Sequence, residues 1–386
     1  MTNRSKGYIL QGMKTKIISI VVVLAIVVVF ITTVGTKTGQ TIKIGGLYPL
    51  TGGLASYGEP AYQAAKMAVA DINVTGGING SKLELVAEDH ACDPKIAVSA
   101  YNKLVKTDNI HVLTSVACTG TVLALVPNLE KDNVVLLGTV TSGNKLTNVS
   151  PNFFRNWASD RQESQLIAQE IIKNKYASIA TLNEETDYAK GLVVSLGEFL
   201  KDAPVKITSE SFASGVSDVR TQLTKLQALK TDVVFISVQT VTTGEMVLKQ
   251  MEQLDFKPKV LFVNDNILKA AALVKNHAQL LEGAIGGDYV FDASGKAGEF
   301  LARYREVYGA DCPQINICLA EYDAIQMLAE GLKTKGDSFL QVRGYLATGE
   351  YDGLSGKISF DANHDREGAE YSLFEIKSGT AQVIKK

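Results

Sequence analysis

Residues 44–98 read IGGLYPLTGGLASYGEPAYQAAKMAVADINVTGGINGSKLELVAEDHACDPKIAV, and the alternation inside this stretch decides the fold class. The β-branched run at Ile42–Leu47 reads as a strand, and Pro60–Ile72 carries apolar residues at helical spacing. A second strand follows at Leu83–Ala87 and a second helix at Pro94–Lys106. Strand, crossover helix and strand is the pattern of a parallel sheet covered by helices on both faces.

The same rhythm continues outward. Strands are predicted at Ile110–Ser115, Val134–Leu137, Ile179–Leu182, Val205–Thr208, Val233–Ser237 and Val260–Val263. Helices are predicted between them at Val122–Lys131, Ser164–Asn174, Gly191–Lys201, Val219–Leu229 and Thr243–Gln253. About ten strands are more than one twisted sheet holds comfortably, so two α/β lobes are expected. The first lobe ends near Trp157. Later segments break the rhythm: a strand at Ala284–Tyr289, helices at Gly295–Tyr308 and Ile315–Leu332, and a polar, hairpin-like end from Lys357 to Ile376. A chain that returns to the first lobe and finishes on the second accounts for this. The expected division is 41–157 with 288–350 for lobe 1 and 158–287 with 351–386 for lobe 2, joined by a three-segment hinge.

The 386 residues, 46% hydrophobic and 21% charged, are enough for two domains and exclude a disordered or collagen-like chain. Net charge is −2, from 39 Lys+Arg against 41 Asp+Glu. Five of the basic residues and no acid precede residue 41, which leaves 34 against 41 beyond it. An acidic body of this kind lacks the clustered Lys and Arg that phosphate contacts need, so nucleic acid is set aside.

The basic excess belongs to the N-terminus. A tail at 1–16 carries Arg4, Lys6, Lys14 and Lys16, and residues 17–34 read IISIVVVLAIVVVFITTV without a charge. As a helix this run is roughly 27 Å long, near the hydrocarbon thickness of a bilayer. The positive-inside bias keeps the tail in the cytoplasm and sends the rest, after the polar linker 35–40, across the membrane. A retained anchor and a cleaved signal segment are both open, and no A-x-A site follows the run. The protein is then extracytoplasmic, tethered to the membrane or released. No cysteine stands directly after the run, which excludes a lipid-modified N-terminal Cys. Four cysteines, Cys92, Cys118, Cys312 and Cys318, suit an oxidising compartment. They allow three connectivities; Cys92 with Cys118 and Cys312 with Cys318 is favoured, and free buried thiols are the alternative for the second pair.

Catalytic and metal signatures fail. Gly76–Lys82 has the composition of a phosphate loop but the wrong spacing, and no G-x-G-x-x-G or G-x-S-x-G occurs. The four histidines form no H-E-x-x-H, and no C-x-x-C marks a zinc site. Asp361–Asp365 opens like a calcium loop, but Arg366 stands where glycine is needed and Ser372 where glutamate is needed, so a solvated turn is expected. No catalytic residue, metal or cofactor is assigned.

Four pieces carry a family resemblance: P-L-T-G at Pro49–Gly52, Y-G at Tyr57–Gly58, A-D-I-N with G-G-I-N-G from Ala70 to Gly80, and D-x-A-C-D-P at Asp89–Pro94. Together they resemble the branched-chain amino acid (Leu/Ile/Val-type) binding proteins of ABC transporters, which have the type 1 periplasmic binding protein fold. Weaker likeness runs over 41–386, with Asp187–Gly191 and Phe360-Asp361 as later markers. The resemblance implies a two-lobed α/β binding protein that hands a small amino acid to permease subunits in the membrane, works as a monomer, and has a Cys92–Cys118 disulfide. By local alignment it implies ligand contacts at Tyr57, Thr119, Val140 through its backbone, and Ser142 on lobe 1. Lobe 2 would add Tyr188, Gln239 and Asp265. Thr119 and Ser142, with backbone N–H groups at a helix start, suit a carboxylate. Asp265, helped by the Val140 carbonyl, suits an ammonium, and the two tyrosines would wall the ligand from opposite lobes. Gln239, where many such proteins have an aromatic, and the loop Gly138–Ser142 add hydrogen-bonding capacity. A polar or non-amino-acid solute is therefore one alternative, and a sensor acting with a separate signalling partner is another.

Overall fold

The computed structural model describes residues 41–289, 291–335 and 338–384. The N-terminal tail and the apolar run at 17–34 lie outside them; among the described residues no helix is long and apolar enough to cross a membrane.

The first lobe opens with β1 (Ile42–Tyr48), α1 (Ala55–Val74), β2 (Leu83–Asp89), α2 (Pro94–Asn102), β3 (Val112–Val116), α3 (Thr119–Leu129), β4 (Val135–Thr139) and β5 (Phe153–Arg155). Its five strands are parallel in the order β2-β1-β3-β4-β5. The second lobe repeats the plan with α4 (Asp160–Lys173), β6 (Ser178–Glu184), α5 (Asp187–Leu200), β7 (Lys206–Phe212), α6 (Arg220–Leu229), β8 (Val233–Ser237), α7 (Val241–Gln253) and β9 (Val260–Val263). Three short helices, α8 (Asp265–Leu268), α9 (Ala271–Asn276) and α10 (Ala278–Leu281), then lead to β10 (Ile285–Tyr289). In this sheet β7-β6-β8-β9-β10 run parallel in the same relative order as the first. Both lobes therefore carry the same topological switch point, the crevice where strand order reverses and α/β sheets hold ligands.

Helices α11 (Gly295–Tyr308), α12 (Ile315–Lys335) and α13 (Phe339–Thr348) return to the first lobe, where α12 lies along α1. A hairpin of β11 (Tyr351–Gly353) and β12 (Gly356–Ile358) follows. The chain ends on the second sheet as the antiparallel pair β13 (Tyr371–Lys377) and β14 (Thr380–Val383). Two boundaries differ from those expected. Asp288 and Tyr289 belong to the second sheet, because they pair with Ser372 and Tyr371. The stretch from 351 to the turn at 361–365 stays with the first lobe: Ile358 joins its core, Phe360 packs edge-on at 5.3 Å from Phe154, and Arg155 bridges Asp365. The sequence pattern misplaced this return because two adjacent short strands look the same whichever lobe they join.

Three crossings thus connect the lobes, before α4, after β10 and before β13, and one aromatic group occupies all of them. Trp157 stands edge-on to Tyr289 at 5.1 Å and to Phe291 at 5.8 Å, and Tyr371 is 6.2 Å from Tyr289. Packing of this kind holds the three crossings together as one unit.

One buried acid ties the first lobe across its layers. Glu321 on α12 is wholly buried and accepts from Tyr48 Oη at 2.8 Å and Thr114 Oγ1 at 3.2 Å. Burial pushes its carboxyl up to about 8, against the pull of the hydrogen bonds from Tyr48 and Thr114. Its folded-state value is raised, so its contribution to stability is present at low pH and is lost as pH rises through about 8. Between about 5 and 8 this single group costs about 1.4 kcal/mol per pH unit. Glu321→Gln, a neutral isostere, should match the wild type in urea denaturation at the acid end of that window. At pH 8 it should be a few kcal/mol more stable; equal stability there would show that Glu321 is ionised without cost.

Candidate ligand cleft

All seven ligand residues expected from sequence follow equivalent strands in the two lobes. Tyr57 follows β1 on α1, Thr119 follows β3, and Val140 and Ser142 follow β4. Tyr188 follows β6, Gln239 follows β8, and Asp265 follows β9. All seven line one cavity, together with Leu54, Ala117, Cys118 and Asn266.

On lobe 1, Thr119 opens α3, and the first backbone N–H groups of a helix have no partner inside it. The approach to this helix is forced: Ala117 and Cys118 both have left-handed backbones, with φ of 61° and 62°. Cys118 is bonded to Cys92, itself at φ 58°, and Cys312 is bonded to Cys318. The Cys92–Cys118 bridge therefore fixes the turn that aims α3 at the cleft. Removing it with Cys92→Ser and Cys118→Ser should cost about 2 to 4 kcal/mol in chemical denaturation. A thiol titration of the unreduced wild type should find neither cysteine free.

Val140 has φ 60°, a conformation that a β-branched residue adopts only under constraint from its surroundings. The loop it begins packs tightly on Thr119, since a Cβ at Gly143 would fall 2.3 Å from Thr119 Cγ2. Arg155, wholly buried at the end of β5, holds this loop from behind. Its guanidinium donates to the carbonyls of Ser142 (2.8 Å) and Gly143 (3.0 Å) and to Thr147 Oγ1 (2.8 Å), and its Nε donates to Asp365 at 2.9 Å. The turn at 361–365 forms as expected, with Asp361 Oδ1 accepting from the backbone of Asn363 and Asp365, but it is not merely solvated, because Asp365 turns inward to Arg155.

On lobe 2, Thr186 caps α5 by accepting from Ala189 N, which sets Tyr188 in the first helical turn. Tyr188 Oη donates to Asp265 Oδ1 and accepts from Asn264 Nδ2 at 2.9 Å. Burial and the neighbouring Asp265 push the Tyr188 phenol well up. Asp265 meets a second partner that the sequence reading missed: Lys269, one helical turn on, donates to its Oδ2 at 2.6 Å. Burial alone would lower the Lys269 ammonium, but Asp265, Tyr57 and Asp288 together hold it raised. The i,i+4 spacing of Asp265 and Lys269 was a visible signal for this pair. The lobes are closed on one another. Tyr57 Oη donates across the cleft to Asn266 Oδ1 at 2.9 Å, Asn144 Nδ2 to the Gly191 carbonyl at 3.0 Å, and Lys145 pairs with Asp187 at 2.9 Å. Among the described residues no cluster of His, Cys, Asp and Glu is arranged to hold a metal.

Two doubly wound lobes, three crossings and a cleft built at both switch points define a two-lobed solute-binding protein. A family model described as periplasmic binding protein matches residues 41–381. The chain belongs to the periplasmic binding protein family. The Leu/Ile/Val-binding protein of Citrobacter freundii is 26% identical over 355 residues, which cover 90% of this chain and 94% of that one. The leucine-, isoleucine-, valine-, threonine- and alanine-binding protein of Pseudomonas aeruginosa is 25% identical over 361 residues, 91% of this chain and 94% of its own. Among solved structures, the substrate binding protein LivJ of Streptococcus pneumoniae in complex with isoleucine superposes with a TM-score of 0.76 at 24% identity, covering 90% of this chain and 100% of that one. A solute binding protein from Rhodopseudomonas palustris in complex with 3,4-dihydroxy benzoic acid gives 0.75 at 21% identity, covering 90% and 96%. The two structures share the fold. The relatives are amino-acid-binding proteins rather than enzymes, and the family to which this chain belongs is one of periplasmic binding proteins.

Proposed function

We propose that this protein closes its lobes on an amino acid, branched-chain or related, and delivers it to the permease subunits of an ABC importer. The observation that carries the reading is the convergence of Thr119, Val140 and Ser142 with Tyr188 and Asp265 on one interlobe cavity. The α-carboxylate is received by the start of α3 with the hydroxyls of Thr119 and Ser142. The α-ammonium is received by Asp265 and the Val140 carbonyl. Tyr57 and Tyr188 close over the ligand from opposite sides and exclude water. Closure follows because the ligand bonds to both lobes only in the closed form, so its differential affinity moves the equilibrium. The protein acts as a monomer, held at the outer face of the membrane by residues 17–34 or released when they are cleaved.

The test is mass spectrometry of small molecules released by denaturing the purified protein, paired with a thermal-shift screen of the twenty amino acids. An amino acid both released and stabilising supports the reading. A different solute released, with no amino acid stabilising, overturns the ligand while leaving the fold intact.

A further inference from the structure

Behind Asp265 and Tyr188, toward the crossings, lies a group of acids that amino acid recognition does not use. Asp160 and Glu163 stand three residues apart on the first turn of α4, hence on one face. Asp288 comes from β10, and Glu163 lies over its neighbour, since a Cβ at Gly287 would fall 2.6 Å from Glu163 Cγ. None of the three lines the cavity, but the group is bonded to its wall: Asp160 N donates to the carbonyl of Ser142 at 2.9 Å, and Tyr371 Oη donates to Asp160 Oδ1 at 3.2 Å.

Charge is unbalanced here. Four carboxyls, Asp160, Glu163, Asp265 and Asp288, share one ammonium, that of Lys269, which Asp265 already holds. Arg155, the next cation, is paired with Asp365. Glu163 is wholly buried, yet neither of its oxygens has a hydrogen-bond partner among the described residues, and Asp160 Oδ2 is also without one. A buried carboxyl with no donor is costly unless it stays protonated or a cation arrives. Burial and the neighbouring carboxylates push Asp160 up to about 7 and Glu163 well above its ordinary value. Burial raises Asp288 to about 6, against the pull of Lys269. A second positive charge placed among them would remove that cost.

We propose that Asp160, Glu163 and Asp288 form a cation subsite at the hinge end of the cleft, which receives the positively charged side-chain end of a basic amino acid. The proposal rests on the amino acid reading above and names the side chain that reading left open. The α-ammonium takes Asp265, the side-chain ammonium or guanidinium takes Glu163 with Asp160 or Asp288, and Lys269 remains the fixed counter-ion between them.

The test is isothermal titration of the ligand-stripped protein with L-leucine, L-ornithine, L-lysine, L-arginine and benzoate, repeated on Glu163→Gln and Asp288→Asn. A basic amino acid should bind roughly tenfold or more tighter than leucine. Each variant should lose roughly tenfold or more for that ligand with little change for leucine, a split that general loosening of the fold does not give. Leucine binding as tightly as the basic amino acids, or variants that weaken both alike, overturns the subsite while the amino acid reading survives. Benzoate binding with no amino acid bound overturns both.

Discussion

Asp265→Ala is expected to weaken binding of the amino acid ligand by about 2 to 5 kcal/mol, the range for removing one partner of a desolvated charge pair. On the scale of dissociation constants this is roughly 30- to 4,000-fold. The upper part of the range is expected because of what the substitution leaves behind. Lys269 loses its 2.6 Å partner and becomes a cation in the cleft wall that repels an incoming ammonium. Tyr188 also loses the acceptor that orients its hydroxyl. The effect must therefore depend on the ligand's amine. Titration with the amino acid ligand and with its deaminated analogue separates the terms, since the analogue should lose much less in the variant than the parent does. Equal losses would mean that Asp265 only shapes the cleft, and an unchanged affinity for the parent would falsify its role as ammonium partner. Asp265→Ala combined with Lys269→Met should recover part of the loss, because the stranded cation is gone.

Why Asp265 was legible and Lys269 was not is a matter of what a linear pattern encodes. Strands β8 and β9 were found with the bounds the structure gives, since a continuous apolar run buried on both faces has a one-dimensional signature. The ligand residues were reached through local likeness to a family and the ends of those strands, and parallel sheets place their sites at strand ends. Lys269 sits beyond the strand end, at the C-cap of a four-residue helix too short to show periodicity, so that only its i,i+4 spacing from Asp265 marked it. Glu163 was hidden differently. On a helix whose other residues include Arg161, Gln162, Gln165 and Gln169, it reads as one more solvated charge, and only the closure of β10 and β13 over that face buries it. Strand β5 is three residues long, too short for periodicity, and with it Arg155 passed unnoticed in Phe-Phe-Arg-Asn-Trp. An arginine between aromatics is the kind of local conflict with an apolar run that marks a buried ion pair.

Arg155→Met should be the most damaging single substitution in the first lobe, at about 3 to 5 kcal/mol, because it leaves buried partners without their charge. The side chain is fully buried, and its five N–H groups reach four partners in three segments: the loop at 142–143, Thr147, and Asp365 beyond β12. Methionine fills much of the volume and restores none of those bonds, so the carbonyls of Ser142 and Gly143 lose their donor. Two losses should appear together. Urea denaturation should show the drop in stability, and titration should show weaker ligand binding, because the same bonds hold Ser142 against Thr119 and keep Val140 in its left-handed conformation. Asp365→Asn tests the division between charge and scaffold. It keeps an acceptor for Nε and leaves the loop carbonyls paired, so it should cost less stability than Arg155→Met and change binding little. If Arg155→Met lowers stability while affinity at matched fraction folded is unchanged, the arginine braces the lobe without shaping the ligand loop. If affinity falls with stability, the geometry of the carboxylate-binding face is set from a residue that never touches the ligand, through a bond network whose far end is the last crossing between the lobes.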